Sequence, residues 1–248
     1  MNKKVKNAIE GKGENCYGEK TDLDLNGDRI LGGYPFSAYL KVADGCDNCC
    51  TYCVIPSIRG KFRSRPMEEL VKEAKHLEAL GAVEINIIAQ DITRYGVDLY
   101  GETKLPELLK ELCKIEGLTW IRTLYTYPER IDDEFLSLLA SEKKLVKYLD
   151  IPLQHCSKKV LKAMYRKQST PAELLAMVKH LRERVPGITL RTTLLTGFPG
   201  ESDNDFEALC KFVKQAKFDR LGCFAYSREE GTRSYDMPNQ LDEETKQR

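Results

Sequence analysis

Six times along the chain, a short apolar run of strand length is followed by a longer stretch with helical period. The strand-like runs fall at residues 39–43, 83–88, 120–125, 148–151, 188–196 and 221–226. The helices between them carry their own start signals. Pro66 precedes Glu68 and Glu69, Pro106 precedes Glu107, and Asp132-Asp133, Ser157 and Ser202 stand at cap positions. Thr170-Pro171-Ala172-Glu173 reads as a capping box with proline at the first helical position. Apolar residues recur on one face of each helix: Leu70, Ala74 and Leu77; Leu108, Leu109 and Leu112; Phe135, Leu136 and Leu139; Leu174, Val178 and Leu181; Phe206, Leu209 and Val213. Parallel strands need a crossover connection, and right-handed crossovers curl the sheet in one direction. Six units fall short of the eight that close a barrel, so the expected fold is α/β, an open partial (β/α)6 TIM-like barrel over residues 37–226.

The flanks differ in character. Residues 1–36 are rich in Lys, Gly, Asn and Asp without a sustained apolar period, and read as a leader or linker from a preceding domain. Residues 227–248 are polar, include Asp242-Glu243-Glu244, and read as an extension without a core of its own, leading toward a further domain. The 39 Lys and Arg against 38 Asp and Glu leave no global field to attract nucleic acid. No run approaches the ~18 apolar residues of a membrane helix, so no membrane partner is expected. With no secretory leader, nine cysteines point to a reducing, cytoplasmic setting.

Four of those cysteines crowd into Cys46-Asp47-Asn48-Cys49-Cys50-Thr51-Tyr52-Cys53. Cys46, Cys50 and Cys53 stand at the spacing C-x3-C-x2-C, which lets a short loop hold three irons of one 4Fe-4S cluster. The fourth iron is then open to a small molecule, as in catalytic metal sites. Counting Cys49 instead gives C-x2-C-C-x2-C, a four-thiolate zinc arrangement, so a non-catalytic zinc or Fe-S binding module is an alternative of a different class.

The C-x3-C-x2-C loop with an aromatic residue before its last cysteine resembles the radical S-adenosylmethionine (SAM) superfamily. In that family the unique iron chelates the amino and carboxylate groups of SAM, and the resemblance puts Tyr52 beside the adenine. Further strings narrow it: Ala89-Gln90-Asp91, Tyr127-Pro128-Glu129-Arg130, Pro152-Leu153-Gln154-His155, Arg191-Thr192-Thr193, Gly197-Phe198-Pro199-Gly200-Glu201 and Tyr226-Ser227-Arg228-Glu229-Glu230-Gly231. Together they resemble the methylthiotransferases, and among them the branch that modifies an aspartate of a small-subunit ribosomal protein. The tRNA-modifying branch is the alternative; it typically carries Gly-Gln-Asn and Pro-Val-Gln-Ser at the second and fourth strands, where this chain has Ala89-Gln90-Asp91 and Pro152-Leu153-Gln154-His155.

The resemblance implies reductive cleavage of SAM at one 4Fe-4S cluster and hydrogen abstraction from an unactivated carbon, followed by methylthiolation. It assigns Gln90 and Asp91 to the SAM amino group, Arg191 to a carboxylate of SAM or of the target, Gly197 and Gly200 to close approach of the adenosine, and His155 to the substrate. It also implies a one-electron donor such as flavodoxin or ferredoxin, and a second 4Fe-4S cluster in an N-terminal domain with three further cysteines, which Cys16 alone cannot replace. Arg59, Lys61, Arg63 and Arg65, just past the cysteine loop, could steer a ribosomal or RNA partner. Taken as residues alone, Gln90 and Asp91 suit loop caps equally well, Arg191 a structural ion pair, the glycines the turn itself, and His155 a hydrogen-bonded loop position.

Overall fold

The structure, a computed structural model, describes residues 33–247. The expected leader as far as residue 32, Cys16 included, lies outside the described residues. The six expected strands are present: β1 (Ser37–Lys41), β4 (Glu84–Ile88), β5 (Trp120–Thr123), β6 (Tyr148–Asp150), β7 (Thr189–Thr196) and β8 (Arg220–Ala225). Two short strands between the first pair, β2 (Ala43–Asp44) and β3 (Arg63–Ser64), were not foreseen in the sequence.

β1-β4-β5 and β6-β7-β8 are parallel ladders, in register at Leu40–Ile87, Ile85–Ile121 and Leu149–Leu190. The halves join where Ile121 N–H donates to the Lys144 carbonyl (2.8 Å), Val146 N–H to Ile121 (2.9 Å) and Thr126 N–H to Asp150 (3.0 Å). Strand order therefore follows chain order, and among the described residues no ladder pairs β8 back to β1. The barrel is open.

Alternate strand residues meet the helices. Leu40, Ile85, Ile87, Ile121, Leu149, Leu190 and Leu194 share one buried core with Leu70, Leu77, Leu108, Leu112, Leu139, Val178, Leu181 and Leu209. Each such side chain contributes about 1.5–3 kcal/mol by leaving water. The longer helices between the strands are Met67–Ala79, Leu105–Cys113, Asp133–Ser141, Lys158–Ala163, Pro171–Arg184 and Asp203–Ala216. Their caps follow the chemistry of their first residues: Asp132 accepts from Phe135 N–H at 2.8 Å, Thr170 and Glu173 complete the capping box, and Ser202 closes a second box with Asp205. In the last of these helices Leu209, Phe212 and Ala216 are buried, and Val213 is half-buried against the core. The other strand face is polar: Arg122 holds Glu84 through Nε (3.1 Å) and Nη2 (2.9 Å), and Ser37 donates to Glu84 at 3.3 Å.

Residues 227–247 fold back over the barrel, with Thr232 and Ser234 buried. Ser234 N–H donates to the Thr51 carbonyl in the cysteine loop (2.9 Å), and Tyr226 Oη donates to Ser234 Oγ (2.9 Å). The short helix Glu243–Gln247 places Lys246 against Gly197. A polar segment is ordered here because its hydroxyls bond to groups supplied by the barrel. No helix of the described residues is long and apolar enough to cross a membrane.

Candidate active site at the cysteine loop

The loop leaves the C-terminal end of β1, where parallel barrels collect their chemistry. The antiparallel pair β2–β3 closes its base, pairing Ala43 with Ser64 and Asp44 with Arg63. Gly45 then turns with φ +79°, and Cys46 N–H donates to the Gly60 carbonyl at 3.2 Å. Asp44, fully buried, receives Lys41 (2.8 Å), Arg59 (3.1 Å) and Arg63 (3.6 Å). Burial alone would raise its carboxyl, but Lys41 and Arg59 hold it below the usual carboxylate range. Arg65 is buried too, bonded to Glu73 (2.5 Å) and the Lys41 carbonyl (3.0 Å). Of the basic run that could steer a partner, Arg65 is buried and Arg63 half-buried against Asp44, while Arg59 and Lys61 reach solvent. On the far side, Thr51 Oγ1 donates to the Ala163 carbonyl at 2.9 Å.

Cys46, Cys50 and Cys53 line one cavity of about 460 Å³, together with Tyr52, Gln90 and Gln154. Cys49 does not line it; its backbone sits at φ +54° and its thiol is exposed. The four-thiol zinc arrangement is therefore not formed, and among the described residues no three His, Cys, Asp or Glu side chains converge on a point where one ion would sit. A cubane is larger than an ion and takes sulfurs set further apart around a cavity. Burial pushes the Cys46 and Cys53 thiols up, so ligation at this loop releases protons. Gln90 Oε1, also in the wall, is buried without a partner. An unpaired buried acceptor costs about 1–3 kcal/mol, which a ligand N–H would recover. Three thiols for iron and one waiting acceptor for an amino group fit a 4Fe-4S cluster with SAM.

Two further wall residues carry no sequence signal for this role. Arg166, 9% exposed, stacks 4.1 Å over the Tyr127 ring, and its Nη2 donates to the Pro152 carbonyl at 2.7 Å. Its Nη1 lies 3.9 Å from Cys50 Sγ, as does Tyr127 Oη. Tyr127 belonged to a noted string, but its contact lies 77 residues away along the chain.

The remaining expected residues are placed differently. Asp91 is fully buried and outside the cavity wall: Oδ1 caps Thr93 N–H at 3.1 Å, while Oδ2 takes Asn48 Nδ2 (3.0 Å) and Arg130 Nη1 (2.5 Å). Every lone-pair direction it would offer SAM is engaged, so it stiffens the loop through Asn48. Arg191 is also outside that wall, with Nη1 on Asp150 Oδ1 at 2.6 Å. His155, read from its motif as open to substrate, is completely buried. Its Nδ1 accepts Ser157 N–H (2.9 Å), which makes Nε2 the protonated nitrogen that meets Glu201 Oε1 at 3.3 Å. Glu201 Oε2 in turn accepts Gly197 N–H (2.6 Å) and Phe198 N–H (3.1 Å). His155 therefore fixes the turn through Ser157 and Glu201. Gly197 and Gly200 lie in that turn and not in the wall of the cysteine cavity. The buried Phe198 ring meets Tyr52 edge-on at 6.4 Å, so this turn braces the aromatic residue of the loop.

The Radical SAM superfamily profile matches residues 40–213, which contain the end of β1, the loop and the strands β4 to β7. The chain belongs to the radical SAM superfamily. That membership implies a 4Fe-4S cluster and SAM, and solved radical SAM enzymes share the fold. HemN, the coproporphyrinogen III oxidase of Escherichia coli, superposes with TM-score 0.62 at 19% identity over 86% of this chain and 51% of its own. The methyltransferase TsrM of Kitasatospora setae superposes with TM-score 0.61 at 20% identity over 76% of this chain and 36% of its own. Nearer in sequence are proteins named ribosomal protein uS12 methylthiotransferase RimO. The one from Geotalea uraniireducens is 57% identical over 88% of this radical SAM chain and 48% of its own length; that from Clostridium perfringens is 50% identical over 99% and 56%. The chain spans about half the length of these curated relatives.

Proposed function

We propose that this chain is the SAM-cleaving core of a methylthiotransferase that modifies an aspartate of ribosomal protein uS12. The observation that carries the reading is the shared cavity of Cys46, Cys50, Cys53 and the unpaired Gln90 oxygen. The protein substrate is favoured over tRNA because the sequence relatives described above are named for uS12.

In this reading the three thiolates hold three irons of the cluster and Gln90 Oε1 accepts an N–H of the SAM amino group. Cluster and SAM, when bound, would supply the hard chemistry, reductive cleavage of SAM and hydrogen abstraction from the aspartate β-carbon. The chain orients the reactants and excludes water. Tyr52, braced by Phe198, flanks the adenine, with the Gly197–Gly200 turn beside it. Asp150 engages one arm of Arg191, leaving the rest of the guanidinium fork for a carboxylate of SAM or of the target. A flavodoxin- or ferredoxin-type donor supplies the electron in the cytoplasm. A second 4Fe-4S cluster, in an N-terminal domain with three further cysteines, would supply the sulfur.

The test is a chimera in which residues 40–226 of this chain replace the matching part of the Geotalea uraniireducens relative. After reconstitution with iron and sulfide, and with dithionite as reductant, it is expected to release 5′-deoxyadenosine and to add a methylthio group to uS12, read by mass spectrometry. Methylthiolation of tRNA but not uS12 would overturn the substrate. An intact cluster that yields no 5′-deoxyadenosine would overturn the chemistry.

A further inference from the structure

Cys50 differs from the other two cavity cysteines in what surrounds its sulfur. Two donors, Arg166 Nη1 and Tyr127 Oη, each stand 3.9 Å from Cys50 Sγ. They are held there by independent contacts. Arg166 is anchored to the Pro152 carbonyl (2.7 Å) and stacked on Tyr127 (4.1 Å), and Arg130 also packs on the Tyr127 ring (4.7 Å). Arg130 in turn bonds Asp91 and Asn48, so the assembly is tied to the cysteine loop itself. Arg166 forms no salt bridge among the described residues; its charge faces the thiol, the Tyr127 ring and a carbonyl. A buried guanidinium is weakly screened. Resting on the reading that Cys50 is a cluster ligand, we propose that Arg166 and Tyr127 form a positioned cationic shell that sets the reduction potential of the cluster through Cys50.

The direction follows from charge. One-electron reduction by dithionite makes no bond and adds one negative charge to the cluster and its thiolates. A fixed cation and a hydroxyl donor at one ligand sulfur favour the more negative state. They therefore raise the potential and ease reduction of the cluster by its external donor, the step that precedes SAM cleavage. Arg166 and Tyr127 are positioning residues in this scheme, acting through Cys50.

The experiment is a dithionite titration of the reconstituted chain followed by electron paramagnetic resonance, without SAM and without substrate. Arg166→Gln is expected to shift the reduction equilibrium against the reduced cluster by about tenfold or more, 59 mV for a one-electron couple. Arg166→Lys, which keeps the charge and loses the fork and the stacking, is expected to fall between. Tyr127→Phe keeps the ring and is expected to give a smaller shift in the same direction, and it decides the matter if Arg166→Gln does not fold. Unchanged or raised potentials in variants with full iron content would overturn the proposal. Failure of the unmodified chain to form any cluster would instead overturn the cluster reading, so the two outcomes are distinct.

Discussion

Gly45 is the hinge on which the cysteine loop depends, and Gly45→Ala is the most informative single perturbation of it. Its φ of +79° lies in the left-handed region, which disfavours an alanine by about 1–2 kcal/mol. The added β-carbon would lie 2.1 Å from the Lys61 carbonyl oxygen, 2.7 Å from its carbon and 2.8 Å from the Gly60 oxygen, all backbone atoms. Those atoms belong to the return leg of the β2–β3 ribbon, so relief of the clash means moving the ribbon; overpacking of this kind costs about 1–3 kcal/mol. The sum, about 2–5 kcal/mol, corresponds to roughly 2–4 °C of melting temperature per kcal/mol in a domain of this size. Because Cys46 N–H is bonded to the same Gly60 carbonyl, the shift also displaces the first thiol of the triplet. Gly45→Ala is therefore expected to melt earlier by several degrees and to bind much less iron after anaerobic reconstitution, read by calorimetry and iron analysis. A variant that takes up the full iron complement and melts with the unmodified chain would refute the steric reasoning.

His155→Ala leaves Glu201 Oε1 and Ser157 N–H without their partner, a loss of about 1–3 kcal/mol for each buried group; His155→Gln, which can still donate to Glu201, is expected to recover part of it in urea denaturation. Equal stability of the three proteins would show that the turn does not depend on this contact. Asp205 supplies a pH test. Partial burial would raise its carboxyl, but the Ser157 and Ser202 hydroxyls hold it at about 2, below its unfolded value of about 3.9. A depressed carboxyl contributes stability above its unfolded pKa and loses it as pH falls through the folded one. The stability difference between the unmodified chain and Asp205→Asn is thus expected to be fully present above about pH 4 and to close as pH falls toward about 2, while a difference constant over that window would contradict the assignment.

What the sequence by itself determined about this protein is what depends on near neighbours in the chain. The six strands were legible from apolar runs and alternation, and the caps at Asp132, Thr170 and Ser202 from a hydrogen bond that spans three residues. Chain order of the strands followed because each parallel step needs a crossover helix. The roles of Cys46, Cys50 and Cys53 were proposed from a spacing inside one loop, and the structure gathers them at one cavity. Tertiary structure alone decided the polar residues around that cavity. Asp91 meets Arg130 39 residues away, His155 meets Glu201 46 residues away, and Arg166 meets Cys50 across 116. A charged or hydrogen-bonding side chain takes whichever partner folding brings within about 3 Å. The same histidine or aspartate can therefore be a ligand or a brace, and only the packing of distant strands selects between them.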